Sequence, residues 1–214
     1  MDQAKEYDRL DSLFDDLFPI TRSITGPGFR RSLDRLGEDI PLNVEGVPSG
    51  TEVFDWEIPE EWHVHEAMLT GPEGTVYADY ADSNHAVLNY SEPVDRRLQL
   101  DELDDHLFTH PGVTDAIPYV TSYYERNWEF CLPHSIYEEL PEGKYHAYVD
   151  SEFVAGELNY GHTTLPGETD EEVLLSTYLC HPSMANNELS GPLVLTSLYR
   201  RLAELEDRRY CSVE

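Results

Sequence analysis

The chain has 214 residues, a formal net charge of −29 and 40% hydrophobic residues. That length holds the core of one large or two small domains, and that apolar content excludes a disordered chain. The acid excess repels nucleic acid and anionic membranes, and no apolar run approaches the ~20 residues that cross a bilayer, so neither is an expected partner.

The N-terminus, "MDQAKEYDRLDSLFDD", is acidic and does not read as a signal peptide, so the expected compartment is the cytoplasm. Residues 3–18 predict a helix, because Tyr7, Leu10, Leu13, Phe14, Leu17 and Phe18 recur at helical spacing and Pro19 ends the run. "SITGPGF" (23–29) predicts a loop. "RRSLDRLGEDI" predicts a second short helix that closes at Gly37 or soon after, and residues 42–47 predict a strand.

From Pro48 the texture changes. Short β-prone runs broken by Pro and Gly continue to about residue 97 and predict a small β-rich structure. A brief helix is expected over 100–108. Aromatic-rich 117–132 suggests strand–turn–strand, and 133–151 a short helix, a Pro-Glu-Gly turn and a strand.

The last third changes again. "EEVLLSTYLC" (171–180) is nearly all apolar toward its end, as a strand buried on both faces would be. "SGPLVLTSLYRRLAELED" (190–207) predicts a helix with Val194, Leu198, Leu202 and Leu205 along one face and Pro192 in the first turn, where proline is tolerated. A buried strand followed by a helix is half of a βαβ unit. A β-prone segment follows, but no second parallel strand is expected from it. The expected fold class is α/β.

One constellation stands out. The expected strand stops at His181, and Asn186, Asn187 and Glu188 follow in a polar turn. The carboxyl ends of parallel strands are where open α/β sheets bind ligands, and imidazole with carboxylate suits zinc. The competing reading makes His181 a turn or capping residue and gives the asparagines unusual backbone angles. Cys180 is expected in the core, because neighbours on a strand point to opposite faces. His63 and His65 share a strand face but lack a third ligand, and His106 and His110 read as surface residues. Tyr123, Tyr124 and Trp128 form an aromatic group that suits either a substrate cleft or core packing. There is no serine-hydrolase elbow, P-loop or dinucleotide fingerprint.

Four blocks, "LFPITRSITGPGFRRSL", "VPSGTEVFDWEIPEEW", "DAIPYVTSYYERNWEFCL" and "LPGETDEEVLLSTYLCHPSMANNELSGPLVL", resemble an aminopeptidase-like family of largely uncharacterised proteins. That family is similar to the co-catalytic zinc exopeptidases, including the bacterial leucyl aminopeptidases. The resemblance covers nearly the whole chain but about the first half of a typical member. It implies an incomplete zinc-exopeptidase-like three-layer fold with a small β-rich inserted domain. The implied division is an N-terminal helical part (1–47), the insert (48–130) and the start of the α/β core (131–214).

The resemblance also implies one or two zinc ions held by His181, Asn187 and Glu188, with Asn187 at the position of a metal-bridging Asp. Ser183 stands where the related enzymes carry an acid that orients the histidine. The implied substrate is a peptide or small amide. Related enzymes place their general base and remaining ligands further along the chain, so the implied chain is an inactive fragment of a metallohydrolase. The alternative is a non-catalytic binding or scaffold protein that keeps part of the fold. Two associations stay open: a homo-oligomer, and pairing with a missing C-terminal half.

The three cysteines, Cys131, Cys180 and Cys211, are an odd number without a C-x-x-C pair, which fits a reducing compartment. Lys5 and Lys144 are the only lysines, and acids are spread along the whole length. Such a surface suits concentrated salt, because at ~1 M the screening length falls to about 3 Å and self-repulsion fades. The expected outcome is a melting temperature that climbs steeply from low to molar KCl. Full stability in low salt would remove the halophilic reading.

Overall fold

Leu13 and Leu17, one helical turn apart, are fully buried, and this stripe fixes the face of the first helix, Gln3–Leu17. The computed structural model describes residues 3–208 and the backbone of 211–213. The second helix, Pro27–Gly37, starts earlier than the sequence suggests, with proline in its first turn. Gly28 lies so close to the backbone carbonyl of Thr21 that a Cβ would collide with it.

The described chain forms two compact units, residues 1–61 with 155–214, and Trp62–Val154. The second unit starts and ends later than 48–130 because of strand pairing. Strand Lys144–Val154 lies between Glu61–Thr70 and Val94–Gln99 in a four-stranded sheet, with Val76–Asp79 on the outer edge. Its inward residues Tyr145, Ala147, Val149 and Ser151 alternate with more exposed ones, as a half-buried strand requires. The expected strand–turn–strand over 117–132 is not found. That segment is mostly irregular, joined to 89–91 by single bridges, and only Phe130–Cys131 forms a short strand.

In the first unit, Asn43–Pro48 pairs antiparallel with Glu157–His162, and the short hairpin Glu52–Val53/Trp56–Glu57 stays with them. The core gathers Leu13, Leu17, Leu36, Leu179 and Leu189, with Phe14, Phe18, Ile20 and Phe29 against it. Burying each such side chain contributes about 1.5–3 kcal/mol relative to exposure.

The last third departs from the sequence reading in two ways. The expected buried strand 171–180 shrinks to Glu172–Leu174, with all three residues exposed, and 175–180 is irregular. Leu174 is 71% exposed, whereas Leu179 is buried. A second parallel strand does follow. Cys211–Val213 pairs in parallel with Glu172–Leu174 and antiparallel with Thr164–Leu165. Glu172–Leu174, the helix Ser190–Ala203 and Cys211–Val213 therefore make a strand–helix–strand unit. Among the described residues, no strand covers the other edge of Glu172–Leu174, and its side chains are exposed. No helix among them is long and apolar enough to cross a membrane.

One glycine sets how the last helix approaches the segment before the site. A Cβ on Gly191 would collide with the Thr177 hydroxyl. Gly191→Ala is expected to lower stability by about 1–3 kcal/mol through overpacking, read by urea denaturation in high KCl. Unchanged stability would mean that Thr177 steps aside at no cost.

Candidate metal centre

The site is built on the chain from Leu179 to Ser190. Leu179 anchors one end in the core and Leu189 anchors the other. Between them, Ser183 adopts a left-handed backbone (φ 48°), and its hydroxyl donates to the Phe18 carbonyl at 3.0 Å. Ser183 thus ties the turn to the end of the first helix. Residues Ala185–Leu189 form a single π-helical turn, a rare geometry often found at functional sites, and it runs directly into the last helix.

This turn carries Glu188 inward. Its side chain is 1% exposed. Oε2 accepts the Cys180 backbone N–H at 2.8 Å, and Oε1 lies 2.6 Å from His181 Nδ1. The Cys180 thiol is 3.9 Å from the same Oε1. Donor atoms of Cys180, His181 and Glu188 all lie within 4.8 Å of one another. Cys180 is half-buried and not part of the core. Strand alternation does not apply to it, because 175–180 is not a strand.

Asn187 sits on the exposed side. Its Oδ1 accepts the Tyr178 hydroxyl at 3.0 Å, and its amide nitrogen is 3.4 Å from His181 Nδ1 and 3.5 Å from Met184 Sδ. The structure thus brings His181 and Glu188 into contact, with the Asn187 amide beside the ring.

Arg22 is a member of this neighbourhood that the sequence reading missed. It is 2% exposed and donates to the carbonyls of Leu17 (2.7 Å) and His181 (3.1 Å) and to Ser32 Oγ (3.3 Å). Burial pulls its guanidinium down to about 10, and the charges of Glu188 and Cys180 act in the opposite direction. No local pattern marks this arginine, since its partner His181 is 159 residues away. Next to the loop lies a cavity of about 310 Å³, lined by Phe29, Leu33, Leu36, Leu179, Cys180 and Leu195 among others.

The aromatic candidates lie in the Trp62–Val154 unit. Tyr123 packs edge-on against Tyr90, and its hydroxyl is 3.1 Å from that of Tyr119. Tyr124 is 80% exposed, while Trp128 is 7% exposed and stacks on His106 at 3.6 Å. His106 is accordingly half-buried rather than a surface residue, with Nδ1 against the Trp128 carbonyl. His65, His146 and His162 each face a carboxylate, of Glu152, Asp95 and Glu45 respectively.

A family model described as a domain of unknown function, DUF4910, matches residues 11–212. The chain belongs to the DUF4910 family. It is 43% identical over 197 residues to a Clostridium acetobutylicum protein provisionally described as a polysaccharide biosynthesis protein with an aminopeptidase-like domain. That match covers 92% of this chain and 45% of the relative. A crystal structure from C. acetobutylicum, provisionally described as a peptidase, is similar at TM-score 0.91 and 42% identity over 96% of this chain and 49% of that one. The zinc aminopeptidase of Bacillus subtilis is similar at TM-score 0.54 and 10% identity, over 97% of this chain and 59% of that one, which is a likeness of fold. This DUF4910 chain therefore has an α/β, aminopeptidase-like fold, and it spans about half the length of the relatives it matches.

The charge state of the centre is set by its neighbours. The Cys180 side chain and then the Glu188 carboxylate favour the His181 imidazolium and outweigh burial, so this histidine is pushed up to about 9. A raised value means that the stabilisation is fully present below the ordinary value of 6.5 and is lost as pH rises through about 9. In metal-free protein, the melting-temperature gap between wild type and His181→Asn is expected to be widest below pH 6.5 and to close above about pH 9. A gap that ignores pH would show that the pair does not stabilise the fold.

Proposed function

We propose that this chain carries part of the zinc centre of an aminopeptidase-like metallohydrolase that cleaves an N-terminal peptide or other amide bond. The observation that carries the reading is the contact of His181 with the buried Glu188 on a π-helical turn beside Asn187. The donor chemistry suits the ion, because imidazole nitrogen and carboxylate oxygen are ordinary zinc ligands. His181 and Glu188, with Asn187 adjoining, are the groups that would hold it. Bound zinc would polarise an amide carbonyl and lower the pKa of its water.

The chain's own residues prepare that place. Arg22 fixes the backbone at His181, the Cys180 N–H orients the Glu188 carboxylate, and Tyr178 orients Asn187. Such supporting bonds typically matter 10–100-fold in metal affinity. Of the three aromatic candidates, Tyr124 has the exposed ring, whereas Tyr123 packs edge-on against Tyr90 and Trp128 stacks on His106. The proposed setting is the reducing cytoplasm of a salt-accumulating organism. The proposed partner is a peptide or small amide, with no role for nucleic acid or membrane. Association with a second copy, or with a polypeptide equivalent to the rest of the relatives, belongs to the same reading.

A second reading, a non-catalytic binding or scaffold protein, is favoured by two observations. A neutral amide at Asn187 is a poor bridge between two dications. The 2.6 Å His181–Glu188 contact also satisfies both groups without any metal.

Zinc titration calorimetry and elemental analysis in molar KCl separate the two. The expected result is one tightly held zinc per chain, with affinity at least about tenfold weaker in Glu188→Gln and in His181→Ala. Chelator-sensitive hydrolysis of aminoacyl-nitroanilides would establish the hydrolase. A zinc-free, inert protein would leave the scaffold reading standing.

A further inference from the structure

Resting on the zinc reading, we infer that the third protein ligand is the thiolate of Cys180, and that Asn187 is not a ligand. Consecutive residues on a strand cannot share a ligand position, since their side chains point to opposite faces. The backbone here is not a strand. Arg22 holds the His181 carbonyl, Glu188 holds the Cys180 N–H, and Ser183 turns the chain in a left-handed conformation just beyond. These restraints turn both side chains toward Glu188. The sulfur lies 3.9 Å and the imidazole Nδ1 2.6 Å from one carboxylate oxygen, and all three donors fall within 4.8 Å. Among the described residues, this is the group of three such side chains that converges closely enough to share an ion.

Asn187 is less suited. Its one ligating atom, Oδ1, already accepts from Tyr178, and the side facing His181 is the NH₂, which has no lone pair to offer a metal. Charge points the same way. A thiolate and a carboxylate together neutralise a dication, whereas the amide contributes none of the charge that a bridging Asp would. Soft sulfur favours zinc over hard divalent ions such as magnesium and calcium. The half-buried thiol loses its proton to solvent on ligation, and His181 binds as the neutral ring. Thiolate sulfur, imidazole nitrogen and carboxylate oxygen are all ordinary zinc donors.

Cobalt(II) in place of zinc tests this on the full chain. Wild-type protein is expected to bind cobalt with a near-ultraviolet sulfur-to-metal charge-transfer band. Cys180→Ser should lose the band and weaken binding by at least about tenfold. Asn187→Ala should keep the band. If Cys180→Ser does not fold, wild type decides instead, because bound zinc should protect Cys180 from iodoacetamide in peptide mass spectra and chelator should restore labelling. Cobalt bound without the band, or Cys180 labelled equally with and without zinc, overturns the cysteine ligand and leaves the zinc reading intact. No metal bound at all overturns both.

Discussion

A single buried cation holds the site half of this protein together. Arg22 lies out of solvent, yet it reaches the end of the first helix at Leu17, the second helix at Ser32 and the backbone of His181. A guanidinium presents five donors in a fixed planar fork, so it can join three separate stretches in one geometry. A lysine could not span them as well, because its three donors share one nitrogen and lack the spread of the fork. Desolvating such a charge costs several kcal/mol, and the cost is offset only by good hydrogen bonds and nearby negative charge. The carbonyls supply the first, and Glu188 supplies the second. The same electrostatic need that keeps Arg22 charged therefore favours an acid on the loop that carries His181.

Glu188 is the other half of that balance. A fully buried carboxylate must find partners, and it finds the Cys180 N–H and the His181 ring. The π-helical turn lets it do so. One extra residue in the turn before the last helix swings Glu188 inward while leaving Asn187 in solvent. Leu189 then plugs the core, and Gly191 lets the helix pass close to Thr177. Packing and chemistry are thus set by the same short segment. A change in helix register would move the carboxylate away from the imidazole.

The charge of the whole chain bears on this arrangement. With acids outnumbering basic residues 43 to 14, each buried or half-buried positive group is in demand. Arg9 serves Glu6 and Asp39, Arg35 serves Asp16 and Asp39, and Arg30 serves the buried Glu61. Arginine's bidentate reach lets few cations satisfy many carboxylates, which fits a chain with two lysines.

Local patterns were enough for much of this. Helical spacing of Leu13 and Leu17 marked the first helix, the run after the Pro-Glu-Gly turn marked a strand near 144–151, and the histidine and acid of "CHPSMANNELSG" marked the candidate site. Those features depend on neighbours a few residues away. What the chain order hid depends on partners far along it. Whether 171–180 is buried rests on what packs against it from elsewhere in the chain, and Leu174 stays 71% exposed while Leu179 enters the core. The environment of Arg22 rests on a carbonyl 159 positions distant. Cys180 joins His181 because hydrogen bonds from distant residues override strand alternation. Residue types and short-range periods are written in the sequence, whereas burial, side-chain direction and charge pairing arise only when remote segments meet and compete for the same small space.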